Sequence, residues 1–158
     1  MDNQNMGFKS AREVLEYAIK REQFAHDFYE QHRDKLADLA ARQMLRELAQ
    51  QEIEHKRRLQ QVLDDRRYAG GLAQRPQRQD LGIARYLTYD ELAADATTQD
   101  VMIAAIKFEE GSARFYDALK AMFEGHQLAE LFDWLVNEEQ GHKLRLERLY
   151  DEHILTDN

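Results

Sequence analysis

The feature that most constrains this chain is an internal repeat at a fixed offset of 87 residues. AIKREQFAHDFYE at 18–30 is matched by AIKFEEGSARFYD at 105–117. From 10–64 to 97–151 the two halves align without a gap, and 14 of the 55 positions are identical: Val14, Ala18, Ile19, Lys20, Glu22, Phe28, Tyr29, Leu48, Glu52, His55, Lys56, Arg58, Leu59 and Asp64. A repeat of this length is one supersecondary unit used twice. Whatever one half folds into, the other half must complement.

The unit is helical. Ser10-Ala-Arg-Glu13 has the form of a capping box, and Thr97-Thr-Gln-Asp100 is a weaker version of it. Apolar residues then recur at helical spacing, with Leu15, Ala18, Ile19, Glu22, Tyr29 and Leu36 on or near one stripe and Met102, Ala105, Ile106, Glu109, Tyr116 and Leu119 on its counterpart. The second half turns at Glu124-Gly125-His126; the first turns less visibly, near 33–38. One proline and seven glycines in 158 residues leave long helices uninterrupted.

Each half is therefore a helical hairpin, and each hairpin carries polar residues where its core should be. Glu52 and His55 stand three apart in line with Leu45, Leu48, Leu59 and Val62; Glu139 and His142 repeat the arrangement. Residue 37 is the midpoint of Glu22 and Glu52, and residue 124 that of Glu109 and Glu139, so folding at the turns sets each lone glutamate opposite a Glu-x-x-His pair. A single Glu-x-x-His on a helix is a weak signal. Two in phase with apolar stripes, each faced by a glutamate at its own height, are a strong one.

The expected architecture is all-α: hairpin one at 10–65, a crossover at 66–97, hairpin two at 98–150 and a short tail at 151–158, together one domain. The connector, with Gly70, Gly71 and Pro76, is long enough to cross a helix of ~25 residues, ~38 Å. The second hairpin should then pack inverted on the first about a pseudo-twofold axis, with a short helix expected within 88–94 of the connector.

Four glutamates and two histidines converging in such a bundle would be costly without a counter-charge, because buried like charges repel and each loses its water. Two divalent cations cancel four carboxylates. Carboxylate oxygens with one imidazole per metal suit iron or manganese, with zinc possible.

This pattern resembles the ferritin-like superfamily of di-iron carboxylate proteins, and within it the rubrerythrin-like group. The residues that carry the resemblance are Glu22 with Phe28-Tyr29, Glu52-x-x-His55, Glu109 with Phe115-Tyr116, and Glu139-x-x-His142; the site type is a Glu from each of two helices and Glu-x-x-His from each of the other two. The resemblance implies a ferritin-like four-helix bundle holding two iron ions. Glu52 and Glu139 would bridge, Glu22 and Glu109 would be terminal, and His55 and His142 would each serve one metal. It implies redox chemistry toward peroxide or oxygen. Two departures stand out: Ser112 occupies the place of an additional glutamate in rubrerythrins, and a chain without cysteine has no rubredoxin-type cluster. With Ser112 in that place the centre is symmetric and more like that of a bacterioferritin. A ferroxidase or storage protein is the alternative, although only 16 residues follow His142, which disfavours a large cage. A metal-stabilised interaction module without turnover is the third reading.

Tyr29 and Tyr116 lie two turns beyond Glu22 and Glu109, placed to donate hydrogen bonds to a ligand carboxylate across the bundle. His26 is one turn after Glu22 and is expected to line the site or bond the next helix rather than ligate. Glu110 and Glu138 fall off the ligand faces and read as surface residues; His32, His126 and His153 read as solvated. Trp134 aligns with Glu47 and suggests a contact with the crossover or a second subunit, hence a homodimer.

A net charge of −8 argues against a nucleic-acid partner. The basic stretch 56–85 reads as cations at a helix end and a solvated linker, with docking of an electron-donor protein as the other use. Absent cysteine excludes disulfides and thiolate sites. No apolar leader or membrane span is visible, so a cytoplasmic protein is expected.

Overall fold

The computed structural model describes residues 7–76 and 91–154. Helix α1 (Ala11–Arg33) starts where the Ser10 hydroxyl accepts from the Glu13 amide at 3.3 Å. Glu13 turns to the Lys9 amide instead of returning to Ser10, so this box is incomplete. Helix α2 (Leu39–Asp64) is capped by Asp38, whose carboxylate accepts from the Ala41 amide at 2.7 Å. The turn between them, 34–38, is held by Arg42 donating to the Leu36 and Asp34 carbonyls.

Beyond α2 the chain makes a 3₁₀ turn at Arg66–Tyr68 and one helical turn, α3 (Ala69–Leu72). Leu72 is buried, and the Ala11 amide donates to the Gln74 carbonyl at 2.9 Å, so the connector is tied to the start of α1. Residues 88–90 of the expected connector helix lie outside the described residues, and 91–94 are not helical.

Helix α4 (Thr98–Met122) opens with a complete capping box, reciprocal between Thr97 and Asp100. The box that looked weaker in sequence is thus the better formed. Gly125 turns the second hairpin at φ +78°, a left-handed conformation that favours glycine. Helix α5 (Ala129–Leu149) continues as a wider helical turn at Tyr150–Ile154, so the expected tail at 151–154 extends the helix; 155–158 lie outside the described residues.

α1 packs along α2, α4 along α5, and α2 meets α5. The apolar core divides into two layers. One joins the start of α1 (Phe8, Val14, Leu15) to the second turn (Met122, Phe123, Leu128). The other joins the first turn (Leu36, Ala41, Leu45) to the start of α4 (Val101, Met102). The beginning of each hairpin therefore lies at the turn of the other, which is the inverted packing expected from the repeat. Each fully buried leucine or phenylalanine stabilises the fold by roughly 1.5–3 kcal/mol. Between the two layers lies a polar one: Glu22, Glu52, His55, Glu109, Ser112, Glu139 and His142, all buried.

Candidate metal centre

The helical phase that buries Leu48 and Leu59 carries Glu52 and His55 to the same face of α2; the repeat does the same for Glu139 and His142 on α5. The structure brings all six sequence-predicted residues together. They form two overlapping groups, Glu22, Glu52, His55 and Glu139 in one and Glu52, Glu109, Glu139 and His142 in the other, and a third group joins His55 and His142 through Glu138; the candidate ligand atoms in each lie within 4.8 Å of one another.

The atoms are divided with a clear logic. His55 Nδ1 faces Glu139 Oε1 at 3.1 Å, Glu22 Oε2 at 3.6 Å and Glu52 Oε2 at 3.7 Å. His142 Nδ1 faces Glu52 Oε1 at 2.9 Å, Glu139 Oε2 at 3.5 Å and Glu109 Oε2 at 3.6 Å. Glu52 and Glu139 each give one oxygen to either side. Glu22 and Glu109 each give one, and spend the other on a tyrosine: Tyr116 donates to Glu22 Oε1 at 2.5 Å, and Tyr29 donates to Glu109 Oε1. Both tyrosines therefore cross from one hairpin to the other, and the exchange is itself twofold. The two imidazole rings lie parallel, 6° apart in plane and 5.4 Å between centroids.

Electrostatics make the cluster uncomfortable by itself. Burial, and then the charges of Glu139, Glu22 and Glu109, hold the Glu52 carboxyl well above the carboxylate range. Burial and the Glu139 charge push Glu109 up to about 8. Burial acts to raise Glu22 as well, but hydrogen bonds from Glu52, His55 and Tyr116 bring it below its ordinary value; Glu139 is lowered by its bonds with Glu109, His142 and His55 against burial and the Glu22 charge. Burial would lower both histidines, yet the surrounding carboxylates raise them. Protons thus stand in for positive charge. Buried Glu52 Oε1, Glu109 Oε2, Glu139 Oε2 and both nitrogens of His142 have no hydrogen-bond partner among the described residues, although several lie within ion-pair distance. Glu52, Glu109, Glu139 and His142 also form one of the close groups of candidate ligands, which fits a divalent cation bound between them.

Of the other residues, His26 and Glu110 lie as their sequence readings expect, and several do not. His26 Nδ1 is 2.9 Å from the Ala49 carbonyl, so it bonds the next helix. Glu110 is at the surface, paired with Arg114 and Lys143. Glu138 is a correction: its side chain is 40 % exposed, but its carboxylate lies 3.3 Å from His55 Nε2. Trp134 is a second correction. It meets the His55 ring edge-on at 5.3 Å and lies beneath the Arg58 guanidinium at 4.1 Å, a contact with α2 that its sequence reading did not include. His126 is a third: its Nε2–H donates to the Gly71 carbonyl and its Nδ1 accepts from the Leu128 amide, pinning the connector to the second turn. A side chain at Gly71 would collide there, its Cβ falling 2.9 Å from His126 Nε2. His32 is half-buried against Phe28, with ring centroids 4.6 Å apart, and His153 is exposed. In the basic stretch, Lys56 donates to Gln23 and Arg67 pairs with Asp65; 77–85 lie outside the described residues.

Arg21 was not singled out by sequence. It is 9 % exposed, donates to Ser112 at 3.1 Å and lies over the Phe108 ring at 4.6 Å. The Ser112 hydroxyl is thus held by a buried cation.

The sequence profile of the ferritin-like domain family matches residues 10–151. A solved structure titled a hypothetical protein from Pyrococcus furiosus is similar at 26 % identity and a TM-score of 0.66, covering 90 % of this chain and 89 % of its own. Comparison with curated proteins finds no match. No helix among the described residues is long and apolar enough to cross a membrane.

Proposed function

The chain belongs to the ferritin-like domain family, and from that premise we propose that it is a dinuclear metal protein of redox function, rubrerythrin-like, acting on peroxide or oxygen. The observation that carries this reading is the division of Glu52 and Glu139, each with one oxygen toward His55 and the other toward His142. A carboxylate so placed can bridge two metals.

Glu22, Glu52, Glu139 and His55 would hold one metal, and Glu109, Glu52, Glu139 and His142 the other. Iron fits the oxygen-rich set, as does manganese, with zinc a weaker fit. When bound, two iron ions would supply two electrons to the oxidant. The protein's own residues have the remaining tasks. The shared glutamates fix the separation of the two positions. Tyr116 and Tyr29 each occupy one oxygen of Glu22 and Glu109 and so orient the other inward. The apolar layers above and below exclude water and strengthen every charge interaction between them. Electrons for a further turnover come from an external protein or small reductant, since the chain has no cysteine for a second centre.

Anaerobic Fe(II) loading followed by stopped-flow mixing, with peroxide and separately with oxygen, tests the proposal. The expected result is oxidation of about two iron per chain, faster with peroxide. A strong preference for oxygen would move the assignment to a ferroxidase. Loaded iron inert to both oxidants would reduce the metal to a structural part.

A further inference from the structure

The six residues of the centre obey the repeat; the residue behind His55 does not. Glu138 Oε2 lies 3.3 Å from His55 Nε2, on the side of the ring opposite to the buried carboxylates around Nδ1. Subtracting the repeat offset, 138 − 87 = 51, gives Gln51, an amide where the second half has a carboxylate. The twofold partner of the contact would be Gln51 on α2 behind His142 on α5. His142 Nε2 is buried and has no hydrogen-bond partner among the described residues. Glu138 lies near both rings, its carboxylate and one nitrogen of each histidine falling within 4.8 Å of one another, but among the described residues it is within hydrogen-bond distance of His55 alone.

We infer that Glu138 is a positioning residue for His55, and that it makes the two metal positions inequivalent, the His55 position being the tighter and the first to fill. This rests on the dinuclear reading above. A neutral imidazole that presents Nδ1 inward must carry its proton on Nε2, and Glu138 accepts that proton's hydrogen bond. The contact fixes the tautomer, holds the ring plane and raises the basicity of Nδ1. Trp134 against the ring edge limits its rotation further. His142 has the same inward geometry without that support. The asymmetry is invisible in the ligand set, which is identical on the two sides.

Titration of the metal-free protein with Co(II), followed by absorption and calorimetry, provides the test. The wild type should bind two equivalents in separable steps. Glu138→Gln should weaken the tighter step about 10- to 100-fold and leave the other within about threefold, and Glu138→Asp should recover part of the loss. Gln51→Glu should strengthen the weaker step and draw the two together. This gain cannot come from a damaged fold, so it keeps the inference testable if a loss variant misfolds. Two unchanged steps in Glu138→Gln, or no gain in Gln51→Glu, would overturn the inference while leaving a dinuclear centre in place. A third equivalent lost with Glu138 would overturn it too, by making Glu138 itself a ligand. Fewer than two equivalents in the wild type would instead remove the dinuclear reading beneath it.

Discussion

The two apolar layers and the polar layer between them solve opposite problems. Around Phe123 and Leu128 at one end, and Leu36 and Leu45 at the other, burial stabilises the fold with no help from a ligand. In the middle, Glu22, Glu52, Glu109 and Glu139 are each no more than 2 % exposed, with Tyr29 and Tyr116 as their neutral donors and the two histidines within ion-pair distance. The ends hold the helices in register; the middle uses that register to assemble charge that the fold would otherwise reject. Stability and site are thus separable by height along one bundle, and substitutions at the two heights should behave differently.

The largest effect is expected at the shared carboxylates. Glu52→Ala and Glu139→Ala should each abolish the two-metal stoichiometry, read by elemental analysis after reconstitution, while the metal-free variants remain folded by circular dichroism. Unchanged metal content in both would end the site assignment. The mirror experiment belongs to the end layers. Leu45→Ala should cost about 2–5 kcal/mol of stability in chemical denaturation yet retain both metals. Metal lost in proportion to stability would mean that the layers are not separable.

Acidity probes the same contrast. In the folded metal-free protein Glu109 moves from 4.5 up to about 8, so the folded state holds more protons than the unfolded chain across that interval. Its contribution is complete below about 4.5 and is lost as pH rises through about 8. His55 and His142, also raised, act with the same sign above 6.5. Glu22 and Glu139 are lowered, so their contributions change only in acid. The melting temperature of the metal-free protein should therefore fall by roughly 5 °C or more between ~pH 6 and ~pH 9. The metal-loaded protein should not follow, because bound cations replace those protons. Parallel pH profiles with and without metal would contradict the picture.

The smallest effect is expected at the tyrosines. Tyr116→Phe removes the donor to Glu22 and should weaken metal binding by about tenfold, the worth of one hydrogen bond to a charged group, without changing stoichiometry. An affinity equal to wild type would show that Glu22 is oriented by packing alone.

What the sequence revealed and what it hid follow one line. Glu22, Glu52, His55, Tyr29 and their counterparts were legible because the repeat states each of them twice, in phase with an apolar stripe. The turns and the inverted packing followed from the same comparison. The residues that escaped are those at which the halves disagree: Arg21 against Phe108, Glu138 against Gln51, Trp134 against Glu47 and His126 against Leu39. Each makes a contact between elements, such as Arg21 with Ser112 or His126 with Gly71. Periodicity assigns a residue to a face, but it cannot say which neighbour a long side chain on the edge of that face will reach.

Metal content tests the central claim most directly. Purified protein, stripped and then reconstituted anaerobically with Fe(II), should retain two metals per chain after desalting, with its melting temperature raised. Retention of none or one, with all six candidate ligands intact, would contradict the account.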